Sequence, residues 1–129
     1  MKTTTEVKPL IDVQVKTEYL TNQSQPAENQ YAFAYHIRIV NQGNIDATLL
    51  KRHWIIIDAN QQQQEVKGIG VIGEQPLITC GSTYSYSSGV VLKTPVGTMQ
   101  GHYQFVDALG NPFEAPIKPF LLALPNKVH

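Results

Sequence analysis

The stretch "GIGVIGEQPLITCGSTYSYSSG", residues 68–89, decides between two folds. Its first six residues, with Gly68, Gly70 and Gly73, satisfy G-x-G-x-x-G, the pattern that cradles a pyrophosphate in α/β dinucleotide-binding domains. The pattern carries that meaning only with a strand before it, a helix opening at the third glycine and an acidic residue roughly 20 positions on. "QEVK", residues 64–67, suits the strand. The helix fails, because Pro76 and Gly81 interrupt it while Ile78, Thr79, Thr83 and the tyrosines favour extended backbone. The acidic residue is absent too, since no Asp or Glu occurs from Gln75 to Val106. These failures exclude a nicotinamide or flavin enzyme and assign the segment to β structure. There the glycines let a connection bend and pack closely, with Ile69, Val71 and Ile72 expected to plug the core.

The flanking sequence has the same character. "IDVQVKTEY", residues 11–19, alternates apolar and polar positions, and so does "YAFAYHIRIVN", residues 31–41. Period two marks strands with one buried face. "ATLLKRHWIIID", residues 47–58, reads as a third strand with Leu50, Arg52, Trp54 and Ile56 on one side. The glutamines at 61–64 read as a hairpin loop leading into "EVKG". "STYSYSSGVV" and "GTMQGHYQFVD" continue the series, the latter with Met99, Tyr103 and Phe105 on one face. In "FEAPIKPFLLALP", Pro116 and Pro119 cannot donate to a ladder and place the last strand at a sheet edge or crossing. Seven to eight short strands without a convincing helix predict an all-β sandwich, with a barrel as the alternative. Residues 1–9 are expected to be loose and residues 10–129 to form one domain.

Composition narrows the function. Ten basic and ten acidic residues cancel, whereas a nucleic-acid or anionic-membrane binder usually carries a basic excess. One cysteine, Cys80, cannot form an internal disulfide, which fits a reducing compartment. The first ten residues have no apolar core of a signal peptide, and no apolar run approaches spanning length. The expectation is a cytoplasmic protein that binds neither nucleic acid nor membrane.

Candidate chemistry is sparse. Consecutive N–H groups in the glycine-rich turn of Gly68, Gly70 and Gly73, assisted by Lys67 or Arg52, offer an anion nest for a phosphate-bearing ligand. His36, His53 and His102 fall on three different strands, and with His129 they show no metal-ligand spacing. Ser82, Ser85, Ser87 and Ser88 read as the outer face of a strand, and Asp107 as a turn residue bonding its own backbone. No nucleophile motif or carboxylate pair stands out, so no enzyme, cofactor or metal is expected. From Gln75 to Val106 the only formal charge is Lys93. Loss of charge with retained aromatics is typical of partner surfaces, so Tyr84, Tyr86 and His102 are expected to form a partner face. An exposed sheet edge would also accept a partner strand or a second copy of the chain.

"GIGVIGEQPLI", "YSYSSG" and above all "TPVGTMQGHYQFVD" resemble the signature blocks of the bacterial ApaG (CorD) family, and the resemblance extends from about Ile11 to His129. It implies an immunoglobulin- or fibronectin type III-like β-sandwich. Related domains occur in an F-box protein and in a polymerase-delta-interacting protein, where they serve protein–protein contact. The resemblance also implies a link to cobalt resistance and magnesium efflux. A pyrophosphate or nucleotide role proposed for the family's glycine segment would fall on Gly68, Gly70 and Gly73. The family has no established catalytic activity.

Overall fold

A computed structural model describes residues 7–125. Eight strands form: β1 (Ile11–Tyr19), β2 (Tyr31–Asn41), β3 (Ala47–Asp58), β4 (Gln63–Ile69), β5 (Leu77–Ile78), β6 (Thr83–Leu92), β7 (Val96–Asp107) and β8 (Pro112–Ala123). They make two antiparallel sheets, one ordered β1-β2-β6 and the other β4-β3-β7-β8, with β5 also pairing β3. A sheet of three strands facing one of five is a two-sheet sandwich, the architecture shared by immunoglobulin and fibronectin type III domains. Two short 3-10 turns, Thr21–Gln23 and Pro26–Glu28, fold the polar loop between β1 and β2. Ser24 pins that loop: its hydroxyl donates to the Leu20 carbonyl and accepts from the Ala32 N–H, both at 2.8 Å. Among the described residues no helix is long and apolar enough to cross a membrane.

The core lies between the sheets. Phe33, Tyr35, Ile37 and Ile39 of β2 face Trp54 and Ile56 of β3 and Met99, Tyr103 and Phe105 of β7. Burying each large side chain contributes about 1.5–3 kcal/mol. Trp54 sits at the centre, in edge contact with Tyr35, Tyr103 and Phe120.

Leu50 is not on the core face with Trp54. Leu49 pairs with Phe105 and Lys51 with Gln104, so Leu50 is an extra residue in β3. One inserted residue reverses which parity faces inward. Ala47 and Leu49 are therefore buried before the bulge, and Trp54 and Ile56 after it. Alternation read at a single phase misses the change. Beyond the bulge, Gly101 lies so close to β3 that a Cβ there would overlap the His53 carbonyl oxygen.

Part of the segment expected to be loose is tied down. The Lys8 N–H donates to Asn44 Oδ1 at 2.8 Å, and the Lys8 carbonyl accepts from the Asn44 N–H at 3.4 Å. Residues 1–6, like His129, lie outside the described residues.

Candidate functional site

The glycine segment folds as a hairpin. Gly68 is still in β4, paired with Arg52. Gly70 turns the chain with φ +64°, and its N–H bonds the Leu50 carbonyl at 2.7 Å. Val71 and Glu74 then exchange both backbone hydrogen bonds, at 2.8 and 2.9 Å, around Ile72 (φ 43°) and Gly73 (φ 79°). Two positive φ angles between paired residues make this a type I′ turn. A β-branched residue at positive φ is an outlier, and Ile72 is one. Val71 is fully buried, whereas Ile69 and Ile72 are 71% and 57% exposed. Of the three side chains expected to plug the core, only Val71 does so.

The nest is largely spent on the fold itself, because the Gly70 N–H is bonded to β3 and those of Val71 and Glu74 to each other's carbonyls. Arg52 is engaged as well. Its Nη1 donates to the carbonyls of Ile69 (3.2 Å) and Gly70 (2.9 Å). Lys67 pairs with Glu65 at 3.2 Å, and the hydrogen bond and positive charge of Lys67 hold the Glu65 carboxyl below its ordinary range.

Beside the hairpin, the outer face of the β4-β3-β7-β8 sheet carries a pair of histidines. His53 and His102 are directly opposite across β3 and β7. Their ring centroids lie 4.9 Å apart, perpendicular. Glu65 stands 3.6 Å from His53 Nε2 and Glu114 stands 3.7 Å from His102 Nε2, both beyond hydrogen-bond reach. Lys51, Lys67, Ile69, Gln104 and Glu114 rim the groove above the pair, about 570 Å³ in volume. His36 does not join them. It is on β2 of the other sheet, bonded to Ser87 and Glu18. The convergence of two of the three strand histidines depends on cross-strand register, which sequence spacing does not encode. Among the described residues no group of three or more His, Cys, Asp and Glu is placed to hold a metal.

Tyr84, Tyr86 and His102 do not make one face. Tyr86 is 7% exposed, and its hydroxyl shares a hydrogen bond with the buried Tyr103 hydroxyl inside the core. Tyr84 is half-buried and donates to Glu74 at 3.0 Å. His102 lies on the opposite sheet. Tyr86 therefore leaves the partner face, because inward alternation on β6 spends it on packing. Ser88 points inward as well, to the seam between the sheets, while Ser85 and Ser87 are exposed.

The family model described as the ApaG domain matches residues 21–107. The chain belongs to the ApaG family. A protein ApaG from Thiobacillus denitrificans is 54% identical over 119 residues, 92% of this chain and 94% of that one. A protein ApaG from Bordetella pertussis is 49% identical over 124 residues, 95% of each. A crystal structure of a Bordetella pertussis protein solved under the name ApaA superposes with a TM-score of 0.89 at 49% identity, covering 93% of this chain and 98% of that one. Membership and sandwich architecture thus agree with the reading of the sequence.

Proposed function

We propose that this ApaG-family protein is a non-enzymatic, cytoplasmic binding module that engages a protein partner through a sheet edge. The carrying observation is the composition of its edges. β1 carries Asp12, Lys16 and Glu18; β4 carries Glu65 and Lys67; β8 carries Glu114, Lys118 and three prolines. β6, "TYSYSSGVVL", is ten residues long and has neither charge nor proline. Soluble proteins normally block long edges with such residues, so an unblocked edge fits a strand that is paired in use. The link of the family to cobalt resistance and magnesium efflux gives the setting in which to seek the partner.

The test is affinity capture from a cytoplasmic extract with the wild-type protein and Val91→Lys side by side. Val91 is an exposed β6 residue. Partners held by the wild type and lost by the variant support the reading. Identical capture by both, or turnover of ATP or diadenosine tetraphosphate, would overturn it.

A second reading is a sensor for a phosphate-bearing ligand or divalent metal at Gly68, Gly70, Gly73 and Lys67. Its support is the adjoining groove, where Lys51, Lys67, His53 and His102 are brought together. Titration with pyrophosphate, ATP, Mg²⁺ and Co²⁺, followed by backbone amide shifts, tests it. Saturable shifts centred on the glycines favour it, and flat shifts at millimolar ligand dismiss it.

A further inference from the structure

We propose that the seam between β4 and β6 accepts one extended, uncharged peptide strand, paired with the β6 edge and placing alternate apolar side chains over Trp54. The proposal rests on the binding-module reading and specifies its site and the chemistry of its ligand.

Among the described residues the sandwich is closed on one side only. β1 packs on β8 where the two sheets meet, while on the other side a groove separates β4 from β6. It has two stretches, of about 410 and 240 Å³, joined at Ile56, Gln64 and Val91. It runs from Ser88 of β6 to Lys93 just beyond that strand, a length of about 20 Å for six extended residues. Its walls are the unpaired edges of two strands, and a row of backbone donors and acceptors is matched most completely by another backbone.

The floor specifies more. Trp54, Val66 and Val90 give the floor of the groove its apolar part, beside Gln64 and Ser88. Trp54 is 2% exposed, and its indole N–H is buried without an acceptor among the described residues. Buried donors are normally paired, so the indole N–H resonance is the signal that tells whether an occupant brings an acceptor to it. Ser88 and Gly89 keep the β6 wall low. The charged residues on the groove are near its ends: Arg52, which is committed to the glycine hairpin, and Asp58 and Lys93. The central residues of the occupant are therefore uncharged.

A free strand fits better than a second copy of the chain. The inward side chains of a second β6, Tyr86 among them, are buried in their own core. Pairing β6 with β6 would also join two grooves and fill neither.

Trp54 is the only tryptophan, so the site reports on itself. Random nonapeptides displayed on phage are selected on the immobilised full chain. Enriched peptides are synthesised and titrated while Trp54 emission and its indole N–H resonance are followed. The expected peptides have uncharged centres with apolar residues at every second position. They shift the Trp54 signals saturably and bind Val91→Lys at least tenfold more weakly, with Val91→Thr and Leu77→Ser unaffected. Gly89→Glu is a second charged variant, since a Cβ at 89 meets only the Phe33 carbonyl, at 3.4 Å. Absence of enrichment, selection of charged sequences, or binding indifferent to both charged variants would overturn the proposal. So would self-association in sedimentation that Val91→Lys abolishes, which assigns the edge to a second copy. If peptides fail but Val91→Lys still loses a captured protein, only the seam proposal falls. If both fail, the binding-module reading falls with it.

Discussion

The Arg52 guanidinium fills the space above Gly68: a Cβ at position 68 would stand 2.6 Å from Arg52 Cζ. The absence of a side chain at 68 lets Arg52 reach the Ile69 and Gly70 carbonyls and tie the hairpin to β3. The three glycines of the motif thus have three different structural reasons, and these predict a graded series. Gly73→Ala faces open space and only its positive φ, so it should cost about 1 kcal/mol. Gly68→Ala displaces a flexible side chain and its hydrogen bonds, for about 1–2 kcal/mol. Gly70→Ala combines positive φ with overlap of the Glu74 carbonyl oxygen, and should cost about 3 kcal/mol or more. Urea denaturation midpoints rank them, and equal costs at 70 and 73 would contradict this account.

Ile72 is in the wrong conformation for its chemistry. A type I′ turn favours Asn-Gly, and this chain has Ile-Gly. Ile72→Asn should raise stability by about 1 kcal/mol through relief of the left-handed conformation. Thermal or urea unfolding checks it. No gain would mean that the exposed isoleucine makes stabilising contacts of its own.

Tyr86 and Tyr103 form a buried hydroxyl pair. Tyr103→Phe alone leaves a buried hydroxyl without its partner and should cost about 1–3 kcal/mol, with the double Phe variant costing less than the sum. The pair also sets an alkaline limit. Burial, as the main cause, pushes both phenols well above their ordinary range. A phenol raised in the folded state binds its proton more tightly there than in the unfolded chain. Its contribution is fully present below the unfolded pKa of about 10 and is lost as pH rises above it. Stability should fall by up to about 2.7 kcal/mol per pH unit there, for two groups at about 1.36 each. Denaturation curves at pH 9 to 12, compared with the double Phe variant, measure it.

Cys80 is exposed but is not poised as a nucleophile. Desolvation first, and then the neighbouring Asp46 carboxylate, push its thiol pKa up. Alkylation by iodoacetamide should therefore be slow at neutral pH and rise at a higher pH than for a free cysteine. Asp46→Asn should move that profile down. A profile at or below that of a free thiol would count against this placement.

The resemblance to the ApaG family was legible in contiguous blocks such as residues 94–107, and relatives about half identical over more than nine-tenths of the chain bear it out. The candidate site was less legible. Gly68, Gly70 and Gly73 announce themselves as a motif, but Gly70 bonds Leu50 and Arg52 of β3, and only the folded chain brings these together. Tyr84 and Tyr86 look equivalent in "TYSYSS", yet one meets the core and the other its rim.

The sequence by itself determined the long strands, though not β5 or the start of β4, where Gln63 and Gln64 read as loop. Period-two alternation places β1, β2 and β3 at the observed bounds, because each strand must bury one face, and that need is written locally. Pro76 and Gly81 likewise exclude the helix locally. Tertiary structure alone decided the rest. An extra residue at Leu50 reverses the inward parity, since a bulge exists only against a partner strand. Cross-strand register brings His53 to His102 and leaves His36 on the other sheet. The two sheets meet at β1 and β8, while a seam stays open between β4 and β6. It is a property of two edges 20 or more residues apart, and no local pattern encodes it.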